Sequence, residues 1–156
     1  MSFEIIPKKD TIPEFDHQEI KLKHILYYPN GEEYEEDEIT EEVISRILKE
    51  ISEGIEIYLS LDSYGEDDWL EVVCDGEWLS LAYTSEDEYC SYNADFPDTY
   101  NADFSDTEKW TPLTSGGQSP IEKCFAIQDI DLGIKAVEYF IRTGELYPGI
   151  DWAVYQ

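Results

Sequence analysis

The chain has 156 residues, with 37 Asp and Glu against 10 Lys and Arg, for a formal net charge of −27. Such a surface repels nucleic acid and anionic membranes, and it attracts basic proteins and speeds encounter with them. Hydrophobic residues at 42% and aromatics at 14% exclude a disordered acidic tail and are enough for one folded domain over residues 1–156. No apolar run reaches the roughly 18–20 residues of a membrane span. The first ten residues show no apolar segment after their charges, so no secretory signal is expected. Cys74, Cys90 and Cys124 are odd in number and form no CxxC pair. Reduced thiols in a cytoplasmic protein are the expectation.

Residues 1–20 contain Pro7 and Pro13 and little periodicity, which predicts a loosely structured N-terminal extension. Lys21–Tyr28 reads as a first strand, ended by the turn signal Pro29-Asn30-Gly31. From Glu32 to Glu42, eight of eleven residues are acidic. Thr40 can cap a helix there, with Glu41 and Glu42 favoured by the dipole of its first turn. Val43, Ile44, Ile47, Leu48 and Ile51 recur at helical spacing over about 41–53, and Gly54 supplies the stop.

The period then changes to two. Ile55, Ile57, Leu59 and Leu61 alternate with polar neighbours as in a half-buried strand. Trp69–Cys74 and Glu77–Tyr83 flank Asp75-Gly76, a dipeptide that favours a two-residue type I′ hairpin. That turn would set Leu70 against Leu81, Val72 against Leu79, Trp69 against Ala82 and Val73 against Trp78. Residues 86–120 are irregular and contain a tandem repeat, Asn93–Thr99 followed by Asn101–Thr107. Thr111–Pro120 reads as a loop and Cys124–Ile127 as a strand. Asp129 or Asp131 caps a second helix, about 130–143, which Gly144 and Pro148 end. Ile150–Tyr155 forms a short last strand or an extended tail. The order predicts an α+β fold: an antiparallel sheet with a central hairpin (69–83) and two helices packed on one face.

Catalytic patterns are sparse. The two histidines, His17 and His24, sit in no recognisable triad, and neither Ser nor Cys lies in a nucleophile motif. Ser115-Gly116-Gly117 lacks the Lys and helix start of a phosphate loop. Asp95, Asp98, Asp103 and Asp106 could attract Ca²⁺, but no EF-hand loop is present. We therefore expect no enzyme, no cofactor and no bound metal. From Glu50 to Glu108 the chain has 18 acidic residues and no Lys, Arg or His, while aromatics interleave them. Interfaces join aromatic anchors to a charged rim. The residues expected to contact a basic partner are Glu66, Asp67, Asp68, Glu86, Asp87, Glu88, Tyr89, Tyr92 and Trp110. Tyr100 is a further candidate for an exposed aromatic.

The segment Ala136-Val137-Glu138-Tyr139-Phe140-Ile141-Arg142-Thr143-Gly144-Glu145-Leu146-Tyr147-Pro148-Gly149-Ile150-Asp151-Trp152 resembles the end of immunity protein family one of bacterial polymorphic toxin systems. Residues 40–83 are compatible with that family in element order. The resemblance implies a cytoplasmic, non-enzymatic inhibitor that occludes a co-encoded basic toxin, most often a nucleic-acid-acting deaminase and alternatively a nuclease. Two other readings stand beside it: an acidic nucleic-acid mimic or adaptor aimed at another basic enzyme, and a metal-dependent enzyme using the Asp-rich loops.

Overall fold

The computed structural model describes residues 3–28 and 30–155. Among the described residues, ten strands and two α-helices follow one another. They are β1 (Glu4–Ile6), β2 (His24–Tyr27), β3 (Glu33–Glu35), α1 (Glu41–Ile51), β4 (Ile55–Ser60), β5 (Trp69–Cys74), β6 (Leu79–Thr84), β7 (Glu88–Ser91), β8 (Trp110–Ser115), β9 (Ser119–Glu122), α2 (Ile130–Thr143) and β10 (Trp152–Tyr155). Eight strands form one antiparallel sheet in the order β1-β10-β7-β6-β5-β4-β2-β3, and β8 and β9 form a separate hairpin. The fold is the expected α+β, with both helices on one face.

The helix ends follow the local signals. The Thr40 hydroxyl accepts from the Val43 N–H at 3.3 Å, and the Asp129 carboxylate accepts from the Leu132 N–H at 3.1 Å. Gly144 adopts φ +73 and its N–H donates to the Phe140 carbonyl at 2.8 Å, the left-handed stop that a residue without Cβ adopts at low cost. Ile44, Ile47 and Ile51 of α1 and Val137, Phe140 and Ile141 of α2 bury against Ile25, Ile57, Leu59, Leu70, Val72, Leu79 and Leu81 of the sheet. The period-two strands and the helical stripes thus close one core.

The β5–β6 hairpin differs from expectation in register. Val72 pairs with Leu81, Cys74 with Leu79 and Trp69 with Thr84, a slip of two residues. The Asp75 carboxylate accepts from the N–H groups of Glu77 (2.9 Å) and Trp78 (2.8 Å), which pulls both out of the strand into a four-residue loop. A slip of two keeps every side chain on its original face, so the core pattern survives.

A third layer is also beyond the sequence reading. Residues 92–126 cross the face opposite the helices and build a second core of Val73, Trp78, Leu113, Ile121, Cys124, Phe125 and Ala153. The expected loop Thr111–Pro120 is the β8–β9 hairpin with an irregularity between Trp110 and Thr114. It tolerates Pro112 and Pro120 because a two-stranded ribbon has only edges. The expected strand Cys124–Ile127 is instead a 3-10 turn at Lys123–Phe125, followed by a single bridge from Ile127 to Leu79. The tandem repeat is not structural: Phe96 packs on Trp78, whereas Phe104 is 75% exposed and stacks on Trp110.

The N-terminal extension is tied down at both ends. Strand β1 pairs Glu4 with Val154 and Ile6 with Trp152, and the Lys21 N–H donates to the Ile141 carbonyl at 2.9 Å. Pro29 of the expected turn lies outside the described residues, while Gly31 adopts φ +76. No helix is long and apolar enough to cross a membrane among the described residues.

Candidate functional site

The pairing of Trp69 with Thr84 brings two acidic loops together, because Asp68 precedes one residue and Ser85 follows the other. Loop 61–68 is built on its own hydrogen bonds. The Leu61 N–H donates to the Asp68 carbonyl (2.9 Å), the Ser60 hydroxyl to the Asp67 carbonyl (2.7 Å) and the Glu66 N–H to the Asp62 carboxylate (3.1 Å). Asp68 takes φ +49, a region that Asp visits more readily than most residues. Its carboxylate accepts from the Ser85 hydroxyl at 2.6 Å and from the Tyr83 phenol at 3.5 Å. Burial raises the Tyr83 phenol above its usual range, Ser85 opposes that shift, and the Asp68 carboxylate adds to it.

Against these loops lies the end of α2. Together they line a groove of about 870 Å³, in which Asp67, Asp68, Glu86, Asp87 and Glu145 meet the rings of Tyr83, Tyr89 and Tyr139. Tyr83 and Tyr89 are 6.0 Å apart by ring centroid, and Tyr83 sets its edge on Phe140 at 5.6 Å. Lys9 is the one basic residue in the lining among the described residues. Its backbone N–H donates to the Pro148 carbonyl at 2.8 Å, which holds the N-terminal segment along the groove's rim. The arrangement presents carboxylates and phenols, and its field favours cationic groups.

Five of the nine expected contact residues therefore converge: Asp67, Asp68, Glu86, Asp87 and Tyr89. Glu66 is exposed on the same loop but outside the lining. Glu88 lines a different recess, with Trp69, Glu71 and Cys90. Tyr92 and Trp110 are partly buried and lie outside the groove. Tyr92 meets Phe3 at 5.7 Å within the second core. Trp110 stacks on Phe104 at 5.2 Å and donates its indole N–H to the Asp103 carbonyl at 3.0 Å. Tyr100 likewise packs on Phe3 and Phe125. All three sit in the covering layer, which is held by aromatic packing and by the β8–β9 hairpin. Tyr139 and Glu145 were missed, because only the three-dimensional path of α2 shows which loops its last turn meets.

The remaining candidates are dispersed. His17 meets Phe15 at a tilt, 4.2 Å between ring centroids, and His24 contacts Glu33 at 2.9 Å. Asp103 accepts from the Ser105 N–H and hydroxyl, which lowers its carboxyl below the usual range. Asp106 pairs with Lys109 at 3.5 Å. Glu35, Asp37 and Glu38 are the carboxylates whose oxygens come within 4.8 Å of one another among the described residues, all exposed, and no repeat aspartate joins them. No protein-family model matches this chain, and no curated protein shows significant similarity to it.

Proposed function

We propose that this chain is an immunity protein, a cytoplasmic inhibitor that binds a co-encoded bacterial toxin and covers its substrate groove. The observation that carries this reading is the convergence of Asp67, Asp68, Glu86, Asp87 and Glu145 with three tyrosines in one groove. A toxin acting on nucleic acid presents Lys and Arg where its substrate's phosphates bind. The carboxylates would steer and pair with those cations, while the phenol rings fill the space between them. The C-terminal segment supplies Tyr139, Gly144, Glu145, Leu146 and Pro148 to the same lining, and its resemblance to the immunity family favours a deaminase toxin as partner.

Co-expression with the product of the adjacent gene tests the reading. A stable complex that restores growth is the expected result; no complex and no rescue overturns it. The groove is tested separately by comparing E86Q/D87N with E77Q, since Glu77 lies in the loop at the far end of the β5–β6 hairpin. Association of E86Q/D87N should slow and lose part of its salt dependence, with E77Q close to wild type. Equal effects of the two variants would remove the groove from the mechanism.

A further inference from the structure

The second face of the sheet is only partly covered. Residues 92–126 lie over Val73, Trp78 and Ala153, but beside them two recesses of about 310 and 220 Å³ open on the same face. Trp69 and Tyr58 line both.

Trp69 is unlike the other three tryptophans. Trp78 meets Phe96 and the Lys123 ammonium, Trp110 stacks on Phe104, and Trp152 donates its indole N–H to the Tyr147 carbonyl. The half-buried Trp69 indole has no ring, cation or hydrogen-bond partner among the described residues. Next to it Glu71 is 6% exposed. Its carboxylate accepts from the Tyr58 phenol at 2.8 Å and from the Ser115 hydroxyl at 2.8 and 3.0 Å. No Lys, Arg or His forms an ion pair with it among the described residues. A sheet face that merely meets water needs no buried carboxylate, and burying one without a cation is costly. Glu88 adds a second, exposed carboxylate at the rim.

We propose that this recess receives an arginine side chain of a protein partner. A guanidinium is planar and weakly hydrated, stacks on an aromatic face and forks onto a carboxylate. Trp69 and Tyr58 supply the faces, and Glu71 and Glu88 the acceptors. Charge complementarity selects the occupant, because the lining has four carboxylate oxygens and, among the described residues, no basic residue besides His24. The inference does not require the partner to be a toxin. It places a second contact across β6 and β7 from the groove, so that one partner can hold the 84–88 corner on both faces.

The test is a titration of the full chain with N-acetyl-arginine methylamide at constant ionic strength, followed by the tryptophan indole resonances. The Trp69 indole should shift saturably, with Trp78, Trp110 and Trp152 unmoved. A single side chain should bind weakly, near the millimolar range (about −4 kcal/mol). E71Q keeps an acceptor for Tyr58 and Ser115 and should weaken binding about tenfold. E88Q, at an exposed position that spares the fold, should weaken it by a smaller factor. No saturable shift at Trp69, or binding unchanged in both variants, overturns the proposal. Equal binding of N-acetyl-lysine methylamide overturns the guanidinium assignment. Micromolar binding of the probe overturns the protein partner in favour of a small guanidinium ligand.

Discussion

The Ser85 hydroxyl donates to the Asp68 carboxylate at 2.6 Å, and this bond ties the 61–68 loop to the β6–β7 turn. Both residues line the acidic groove. S85A should therefore loosen the groove more than it lowers global stability. The expected cost is below about 1 kcal/mol, because Ser85 is exposed. Amide exchange at 85–88 should rise well above that in the rest of the sheet. Unchanged exchange there would mean that the loops hold their places without the bond.

Arg142 is 5% exposed, and its two Nη atoms reach the Glu41 oxygens at 2.6 and 2.8 Å, joining the last turn of α2 to the first turn of α1. Nη1 also donates to the Glu19 carbonyl at 3.2 Å. E41Q leaves a buried guanidinium with a weaker partner and should cost about 1–2 kcal/mol, at the low end for a charged hydrogen bond because Glu41 is half exposed. The Arg142 hydrogen bonds hold the Glu41 carboxyl below its usual range. Its contribution is thus present above the unfolded value of about 4.3 and fades as pH falls through the lower folded value. Urea melts should show the gap between E41Q and wild type shrinking in that acid range. A gap that stays constant with pH would exclude the ion pair as its source.

The alternating set Ile55–Leu61 and the caps at Thr40, Asp129 and Gly144 were legible because each is a local signal that tertiary packing reinforced. The slipped hairpin was not, since the Asx turn at Asp75 competes with the two-residue turn and both keep the same faces. Strand β7 is four residues long and pairs with β10 from the far end of the chain, so nothing local marks it. Asp67, Asp68, Glu86 and Asp87 could be placed because they flank the two ends of a hairpin that was recognised. Tyr92 misled because a residue outside any periodic strand can still pack on a core when a long loop forms a layer, and Trp110 because it opens strand β8, which no alternation marks.

The three thiols should be inert in the folded protein. Burial pushes Cys90 up to about 12 and Cys124 up to about 11, and it raises Cys74 as well. Thiolate is the reactive form. Ellman's reagent at neutral to mildly alkaline pH should react at least about a hundredfold more slowly with the native protein than with a model thiol. All three should titrate promptly in urea. A fast single-thiol phase in the native protein would show that one of these sites opens locally.

Glu56 carries the clearest mismatch between charge and surroundings. Its Oε2 is buried without a hydrogen-bond partner among the described residues, and its carboxyl is raised first by burial and then by the neighbouring Glu71, with the Gly116 N–H opposing. A raised folded value means that its contribution to stability is full below the unfolded pKa and is lost as pH rises through the folded one. Once ionised, the group opposes the fold. E56Q keeps a carbonyl for the Gly116 N–H and removes the charge. It should match wild type near pH 4 and become the more stable of the two as pH rises toward neutrality. Urea midpoints at stepwise pH check the sign. A variant less stable than wild type at neutral pH would mean that the Glu56 charge has a cationic partner in solution.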